Sequence, residues 1–210
     1  LKNIVIIGGG GHAKVLASVI KKNNDFNILG YTDKKDDSSL SGVKYLGDDN
    51  VLEKLIKDNI IFNAVLGVGQ INLNSSRRAI AERLLEIGLE FPTIASRDSI
   101  INRDVEIGKG TVVFDGVVIN SGTKIGSFSI INTGVIIDHD CEIGDYTHIA
   151  TGAVLSGGVK IKNNSMVGAG ATIIQYKVIC ENCMIGAGSV VTEDCLENGV
   201  YAGIPARKIR

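Results

Sequence analysis

From Ile101 to Val191 an aliphatic residue occupies every sixth position, sixteen times in succession with no insertion. Cut to that register, the chain reads VEIGKG, TVVFDG, VVINSG, TKIGSF, SIINTG, VIIDHD, CEIGDY and onward. The first residue of each hexad is small or β-branched, with Lys177 the exception. A period of six cannot keep to one side of an α-helix, because positions i, i+6 and i+12 drift around a 3.6-residue turn. Collagen is excluded as well, since glycine does not recur at every third residue. The pattern fits a hexapeptide solenoid, in which each hexad supplies one short flat strand and a turn. Three hexads close a triangular coil with the aliphatic residue pointing inward. Coils stacked at the inter-strand spacing of about 4.8 Å give, for about five coils, a prism roughly 25 Å tall. Such repeats bury their apolar faces only by stacking on one another.

The first 90 or so residues have another rhythm, in which strand and helix patterns alternate. NIVIIGG, NILGYTD, VKYLGD and NAVLGVG read as strands; HAKVLASVIKKN, NVLEKLIKD and NSSRRAIAERLLEIG read as helices. Val15, Leu16, Val19 and Ile20 supply the apolar spacing of the first helix. Asn50 is the expected N-cap of the second, and Gly88 closes the third. Alternation of this kind implies a parallel sheet with helices packed on it. The expected organisation is a Rossmann-like α/β domain over residues 1–92, then an all-β parallel β-helix with a C-terminal tail over residues 93–210. Composition agrees: 26 glycines against two prolines, with no tryptophan, suits many short buried strands joined by tight turns.

Several function classes fall away. A net charge of −1, from 22 basic and 23 acidic residues, leaves no footprint for nucleic acid, which requires clustered positive charge. No apolar run reaches the roughly 18 residues of a membrane helix, so no membrane partner is expected. The opening LKNIVIIGGGGHAKVL reads as a first strand and its turn rather than a signal peptide. Cys141, Cys180, Cys183 and Cys195 are accordingly expected as reduced thiols of a cytoplasmic protein. Cys180-x-x-Cys183 stands alone, without a second pair or a nearby histidine, which favours packing over a metal site. KKDD at 34–37 and Arg77-Arg78 read as solvated surface.

Chemistry concentrates at a few places. The chain has three histidines, and one of them, His139, stands between Asp138 and Asp140. An imidazole is the usual base for taking a proton from an attacking amine or hydroxyl. A carboxylate beside it fixes the tautomer and stabilises the imidazolium. Both aspartates are available; since neighbours on a strand alternate sides, pairing requires a turn, which a hexad corner supplies. The plain alternative is a polar, solvated corner like KNN at 162–164. One coil beyond His139 lies Gly157, whose N–H suits an oxyanion. IATG, VGAG and IGAG, at 149–152, 167–170 and 185–188, stack into a column of small residues on another edge, which tight corners require whatever they bind. In the first domain, Gly8-x-Gly10-x-x-Ala13 follows a strand and opens a helix, with Asp33 about 20 residues beyond. Free amides at a helix N-terminus favour phosphate. Hydride transfer is disfavoured, because a β-helix supplies no evident hydride chemistry.

The hexads, with Gly203-Ile204-Pro205-Ala206-Arg207 near the C-terminus, resemble the left-handed β-helix of the hexapeptide-repeat acyltransferases. The left hand comes from that resemblance, as the general crossover rule favours the right. Across the whole chain, VIIGGGGHAKVL followed by INTGVIIDHDCEIGDYTHI resembles the subfamily of bacillosamine and perosamine N-acetyltransferases and sialic acid O-acetyltransferases. The resemblance implies a homotrimer with active sites between neighbouring prisms. It implies transfer of an acetyl group from acetyl-CoA to the amino group of a nucleotide-linked 4-amino sugar, by direct attack on the thioester and without a metal. His139 would be the base, Asp140 its partner, Gly157 the oxyanion donor, and Asn132 an orienting group. His148, Ala169 and Ala187 would contact acetyl-CoA; Gly10, Gly11, His12, Asp33, Lys34 and Gly69 would bind the nucleotide sugar. Lys34 stands where some relatives carry a second acidic residue, which leaves the base and sugar open. The alternatives are O-acetylation of sialic acid or another sugar, and a non-catalytic scaffold or nucleotide-sugar sensor.

Overall fold

The computed structural model describes residues 1–36, 40, 42–73 and 76–210. Asp37 of the KKDD run, and Asn74 and Ser75 at the expected start of the third helix, lie outside the described residues. The chain divides into two compact units, essentially residues 1–96 and 97–210.

The first unit runs β1 (Lys2–Ile7), α1 (Gly11–Asn23), β2 (Phe26–Thr32), β3 (Tyr45–Gly47), α2 (Val51–Lys57), β4 (Asn63–Leu66) and α3 (Arg77–Glu86). The strands pair in parallel in the order β3-β2-β1-β4. Ile4, Val5, Ile6 and Ile7 are all buried, so β1 reads as an unbroken apolar run, as central parallel strands do. From β1 the chain moves to β2 and β3 on one side, then returns to β4 on the other. The strand order therefore reverses at the C-terminal end of β1, the place where open α/β sheets bind ligands.

Three local features depart from the sequence reading. Val15 is 44% exposed, because α1 buries the face carrying Ala13, Leu16, Ala17 and Ile20, and Val15 lies off it. Asn50 precedes α2 without capping it: its backbone is already helical, and Asp48 Oδ1 accepts its N–H at 3.0 Å. Arg77 is fully buried rather than solvated. Its Nη1 donates to the Leu66 and Val68 carbonyls at 3.1 and 2.5 Å, tying the start of α3 to the end of β4. A guanidinium leaves water only when hydrogen bonds replace its hydration. Arg78, by contrast, is on the surface with Glu82 at 2.8 Å. Gly88 does end the third helix, with φ +92° and its N–H on the Leu85 carbonyl.

The second unit is a parallel β-helix. Each strand pairs with those 18 residues before and after it: Ile125 with Ile107 and Ile143, Ile131 with Val113 and Ile149, Ile137 with Ile119 and Leu155. Of the sixteen inward aliphatics only Ile101 and Ile107, in the first coil, are not buried. The corners are equally regular. The sixth residue has positive φ in fourteen successive hexads, Gly110 to Gly188. Glycine fills eight of these left-handed positions; the others are Phe128, Asp140, Tyr146, Asn164, Tyr176 and Asn182. Asn and Asp tolerate that conformation best, and Phe128 and Tyr146 stack with ring centroids 5.2 Å apart.

Buried hydroxyls at the first hexad position join the coils. Ser129 Oγ donates to the Gly144 carbonyl at 2.9 Å and accepts the Thr147 N–H at 3.0 Å. Ser165 Oγ likewise donates to the Cys180 carbonyl and accepts the Cys183 N–H. The three outer faces differ. One carries an alternating ladder, Glu106, Lys124, Glu142 and Lys160, with ion pairs at 3.1 and 2.8 Å. The second presents Ile100, Val118, Ile136, Val154, Thr172 and Val190. The third includes His148, Met166 and Met184. Beyond the last coil, the strand Gly199–Gly203 turns back through Ile204-Pro205 to Ala206–Lys208. Among the described residues, no helix is long and apolar enough to cross a membrane.

Candidate active site

His139 and Asp140 form the turn between the strands Ile136–Ile137 and Glu142–Ile143. Asp140 takes the left-handed position, φ 58°. Its side chain therefore does not diverge from His139 as strand neighbours do, and its Oδ2 lies 2.9 Å from His139 Nδ1. Gly122, one coil earlier, makes room: a Cβ there would collide with Asp140 Oδ1. Asp138 has other work. Its Oδ1 accepts the His139 N–H at 2.8 Å and the Asn120 side-chain amide at 2.9 Å. The Asn120 bond, then the backbone bond, hold its carboxyl below the usual carboxylate range. Asp138 thus fastens the turn to the coil below, and Asp140 faces the ring.

The hydrogen bond to Asp140 raises the His139 pKa above its ordinary value, against a smaller opposing effect of desolvation and with help from the charges of Asp138 and Asp140. With Nδ1 engaged, Nε2 is the nitrogen left to take a proton. It sits 2.5 Å from where a Cβ on Gly157 would be, so only glycine admits the ring. Among the described residues no acceptor takes the Gly157 N–H. His139 remains half exposed, its side chain 51% accessible.

Asn132 and His148 meet on a different part of the prism, with Asn132 Nδ2 3.2 Å from His148 Nε2. His148 is buried and pairs in the face that leads into the next corner. That corner carries Thr133-Gly134, Thr151-Gly152, Ala169-Gly170 and Ala187-Gly188, all exposed. A Cβ on Gly134, Gly152, Gly170 or Gly188 would touch nothing within 4 Å. Around His139 the glycines are covered instead, Gly122 by Asp140, Gly157 by His139 and Gly158 by Tyr176. One chain therefore brings His139, Asp140 and Gly157 together. It leaves Asn132, His148, Ala169 and Ala187 on or next to another edge, with the apolar face between the two edges.

In the first unit, the glycine loop joins β1 to α1. Gly9 donates its N–H to Asp33 Oδ2 at 2.7 Å, and a Cβ on Gly9 would strike the Tyr31 ring. Gly10 and Gly11 are exposed with open space where a Cβ would be, and Gly10 caps α1 without a side chain. Gly10 and Gly11 thus leave this helix start uncovered by side chains, a setting that favours an anion. A Cβ on Gly69, after β4, would lie 3.4 Å from His12 Cβ, so these two meet at the strand-order reversal. Asp33 and Lys34 line a neighbouring cleft of about 360 Å³, whose wall also includes Thr32, Asp48, Asp49 and Arg83. Gly10, Gly11, His12 and Gly69 are outside that lining. Asp49 accepts the Thr32 hydroxyl at 2.6 Å and pairs with Arg83. These wall residues carry no recognisable motif; the pairing of β3 with β2 brings Asp48 and Asp49 to Asp33, and Arg83 of α3 joins them through its ion pair with Asp49.

Cys141, Cys183 and Cys195 are buried, and Cys180 is half-buried. Burial pushes the Cys141 thiol up to about 11, and Cys183 to about 12, so neither is a thiolate near neutral pH. Cys180 and Cys183 sulfurs lie 3.2 Å apart. Among the described residues no group of three or more His, Cys, Asp or Glu is placed to hold a metal ion.

Comparison with known proteins bears on both units. Residues 3–84 match the PglD N-terminal domain, and residues 140–175 match the bacterial transferase hexapeptide (six repeats). UDP-N-acetylbacillosamine N-acetyltransferase of Bacillus subtilis (strain 168) is 35% identical over 117 residues, 54% of this chain. The match spans about half, 51%, of that curated relative. PerB from Caulobacter crescentus, solved in complex with CoA and GDP-perosamine, superposes with a TM-score of 0.92 at 30% identity, covering 100% of this chain and 98% of that one. The acetyltransferase domain of PglB from Neisseria gonorrhoeae FA1090, solved with acetyl coenzyme A, gives a TM-score of 0.91 at 30% identity over 99% of both chains.

Proposed function

The chain belongs to the hexapeptide-repeat sugar acetyltransferases of the bacillosamine and perosamine N-acetyltransferase subfamily, and from that premise we propose that it moves an acetyl group from acetyl-CoA to the amino group of a nucleotide-linked amino sugar. The observation that carries this reading is the His139–Asp140 turn, with Nε2 facing the Gly157 backbone. His139 Nε2 takes the proton from the amine as it attacks the thioester carbon. Asp140 holds Nδ1–H and stabilises the imidazolium. The Gly157 N–H donates to the carbonyl oxygen as it gains charge. His139 then returns the proton as the C–S bond breaks and the thiol leaves. Cys141 carries no acyl group in this scheme, since its buried thiol stays protonated.

The split of the site across two corners favours a trimer. The apolar face lies between the corner of His139 and the bare corner of Ala169 and Ala187. If that face turns toward a three-fold axis, the His139 corner of one chain meets the bare corner of the next, and a closed heterologous ring results. The nearby Asn132–His148 pair then completes the site from the neighbouring chain. The bare corner admits a narrow pantetheine arm, and the open helix start at Gly10-Gly11, with Asp33, Lys34 and Gly69, suits the nucleotide diphosphate. Reduced thiols and these two substrates are consistent with a cytoplasmic setting.

Release of free thiol from acetyl-CoA, measured against UDP-, GDP- and dTDP-linked 4-amino sugars, tests the assignment. Wild type should turn over at least one of them, and His139→Ala should lose roughly 10²- to 10⁴-fold in kcat. Turnover of CMP-sialic acid or free sialic acid with none of the amino sugars would transfer the assignment to O-acetylation. An active His139→Ala trimer would refute the base.

A further inference from the structure

Tyr176 is the one aromatic residue of the β-helix that the fold leaves 69% exposed. It occupies a left-handed corner position, φ 59°, which disfavours a bulky side chain. Phe128 and Tyr146 occupy equivalent positions, but they stack on each other. Tyr176 has no ring partner among the described residues; its ring lies back against Gly158, with Cε1 2.6 Å from where a Cβ would be. Gly157, the adjoining residue, carries the His139 ring from the other side. The turn Gly157-Gly158 is therefore a floor with the base leaning over one residue and an exposed phenol ring over the next. Local strain kept at such a place asks for a functional reason.

Height along the prism says which substrate the ring meets. Residue number maps to height at about 4.8 Å per coil, so Tyr176 stands between the levels of Ala169 and Ala187, on the C-terminal side of His139. Rotation about an axis parallel to the stack preserves height. In the trimer, Tyr176 of one chain thus faces the open stretch between Ala169 and Ala187 of its neighbour, where nothing within the chain itself covers Gly170 or Gly188. We propose that Tyr176 is a positioning residue for the acyl donor: its ring walls the channel opposite the bare corner and packs against the amide-and-methylene arm of CoA, delivering the thioester to His139 and Gly157. This rests on the acetyltransferase and trimer reading above. It adds a determinant of donor affinity that the acceptor does not touch.

Two substitutions separate the ring from the turn. Tyr176→Asn keeps a residue suited to the left-handed position, as Asn164 and Asn182 already are in this β-helix, but removes the ring. Tyr176→Phe keeps the ring. Calorimetric titration of each trimer with CoA, together with separate KM values for acetyl-CoA and the amino sugar, gives the readout. Tyr176→Asn should weaken CoA binding and raise the acetyl-CoA KM roughly tenfold. The amino-sugar KM should stay within about twofold, and Tyr176→Phe should match wild type. Unchanged CoA affinity in Tyr176→Asn, or a rise in the amino-sugar KM alone, would overturn the assignment while leaving the acetyltransferase reading intact. A wild-type trimer that binds no CoA would overturn both.

Discussion

At His139 the decisive effect is which of two adjacent carboxylates meets the ring. A left-handed φ at Asp140 swings its carboxylate to Nδ1, while Asp138 is spent on the turn amide and Asn120. A base with a raised pKa stays protonated to higher pH, so activity is lost as pH falls through that raised value. The acid limb of kcat/KM should therefore lie above about 6.5, the ordinary imidazole value. Asp140→Asn removes the leading cause of the shift, so a pH–rate profile should show the limb moving down alongside a lower plateau. Gly157→Ala is the sharper steric test. Its methyl would require the site of His139 Nε2, and displacing the base should cost on the order of 10²-fold in kcat. Gly157 was legible from the 18-residue period alone. The choice between Asp138 and Asp140 was not, because it depends on the left-handed torsion that Asp140 has and Asp138 lacks. Arg77 departs from its surface expectation for a related reason: nothing in RR distinguishes a guanidinium that caps the carbonyls after a buried strand from one in water.

At the scale of single strands and turns, the β-helix is held by stacking, with polar groups inside wherever both ends are satisfied. Ser165→Ala would leave the Cys180 carbonyl and the Cys183 N–H without their partner. Unfolding by denaturant should register about 1–3 kcal/mol of lost stability. Removing Lys160 from its exposed pair with Glu142 should change little, because surface ion pairs are screened and cost side-chain entropy. The register of these strands follows from sequence because a slip by one residue would put every aliphatic outside. The first unit is less transparent at this scale. Its strands and helices follow from periodicity, yet the cleft wall of Asp48, Asp49 and Arg83 comes from segments with no shared pattern. The pairing of β3 with β2 brings in the two aspartates, and an ion pair from α3 adds Arg83.

Over the whole molecule, the proposed trimer predicts that catalysis depends on association, because His139 and the bare corner lie on two edges of one chain. Ile136→Glu with Val154→Glu would place charges on the apolar face without touching the His139–Asp140 pair. Light scattering should report monomers, and acetyl transfer should vanish with association. Subunit mixing gives a stronger check. His139→Ala trimers and Ala169→Trp trimers should each be inactive, yet exchanging their chains should restore activity at junctions that join an intact base to an intact bare corner. Failure of rescue in demonstrably mixed trimers would count against a shared site. Sequence alone determined the coil, its register, the inward residues and the parallel α/β sheet, because each follows from a repeating spacing that only one backbone geometry satisfies. Tertiary structure decided the rest: the carboxylate that meets His139, the buried place of Arg77, and the separation of His139 and the bare corner onto two edges of one prism. Those outcomes depend on torsions and on contacts between residues far apart in the chain, for which a periodic pattern carries no signal.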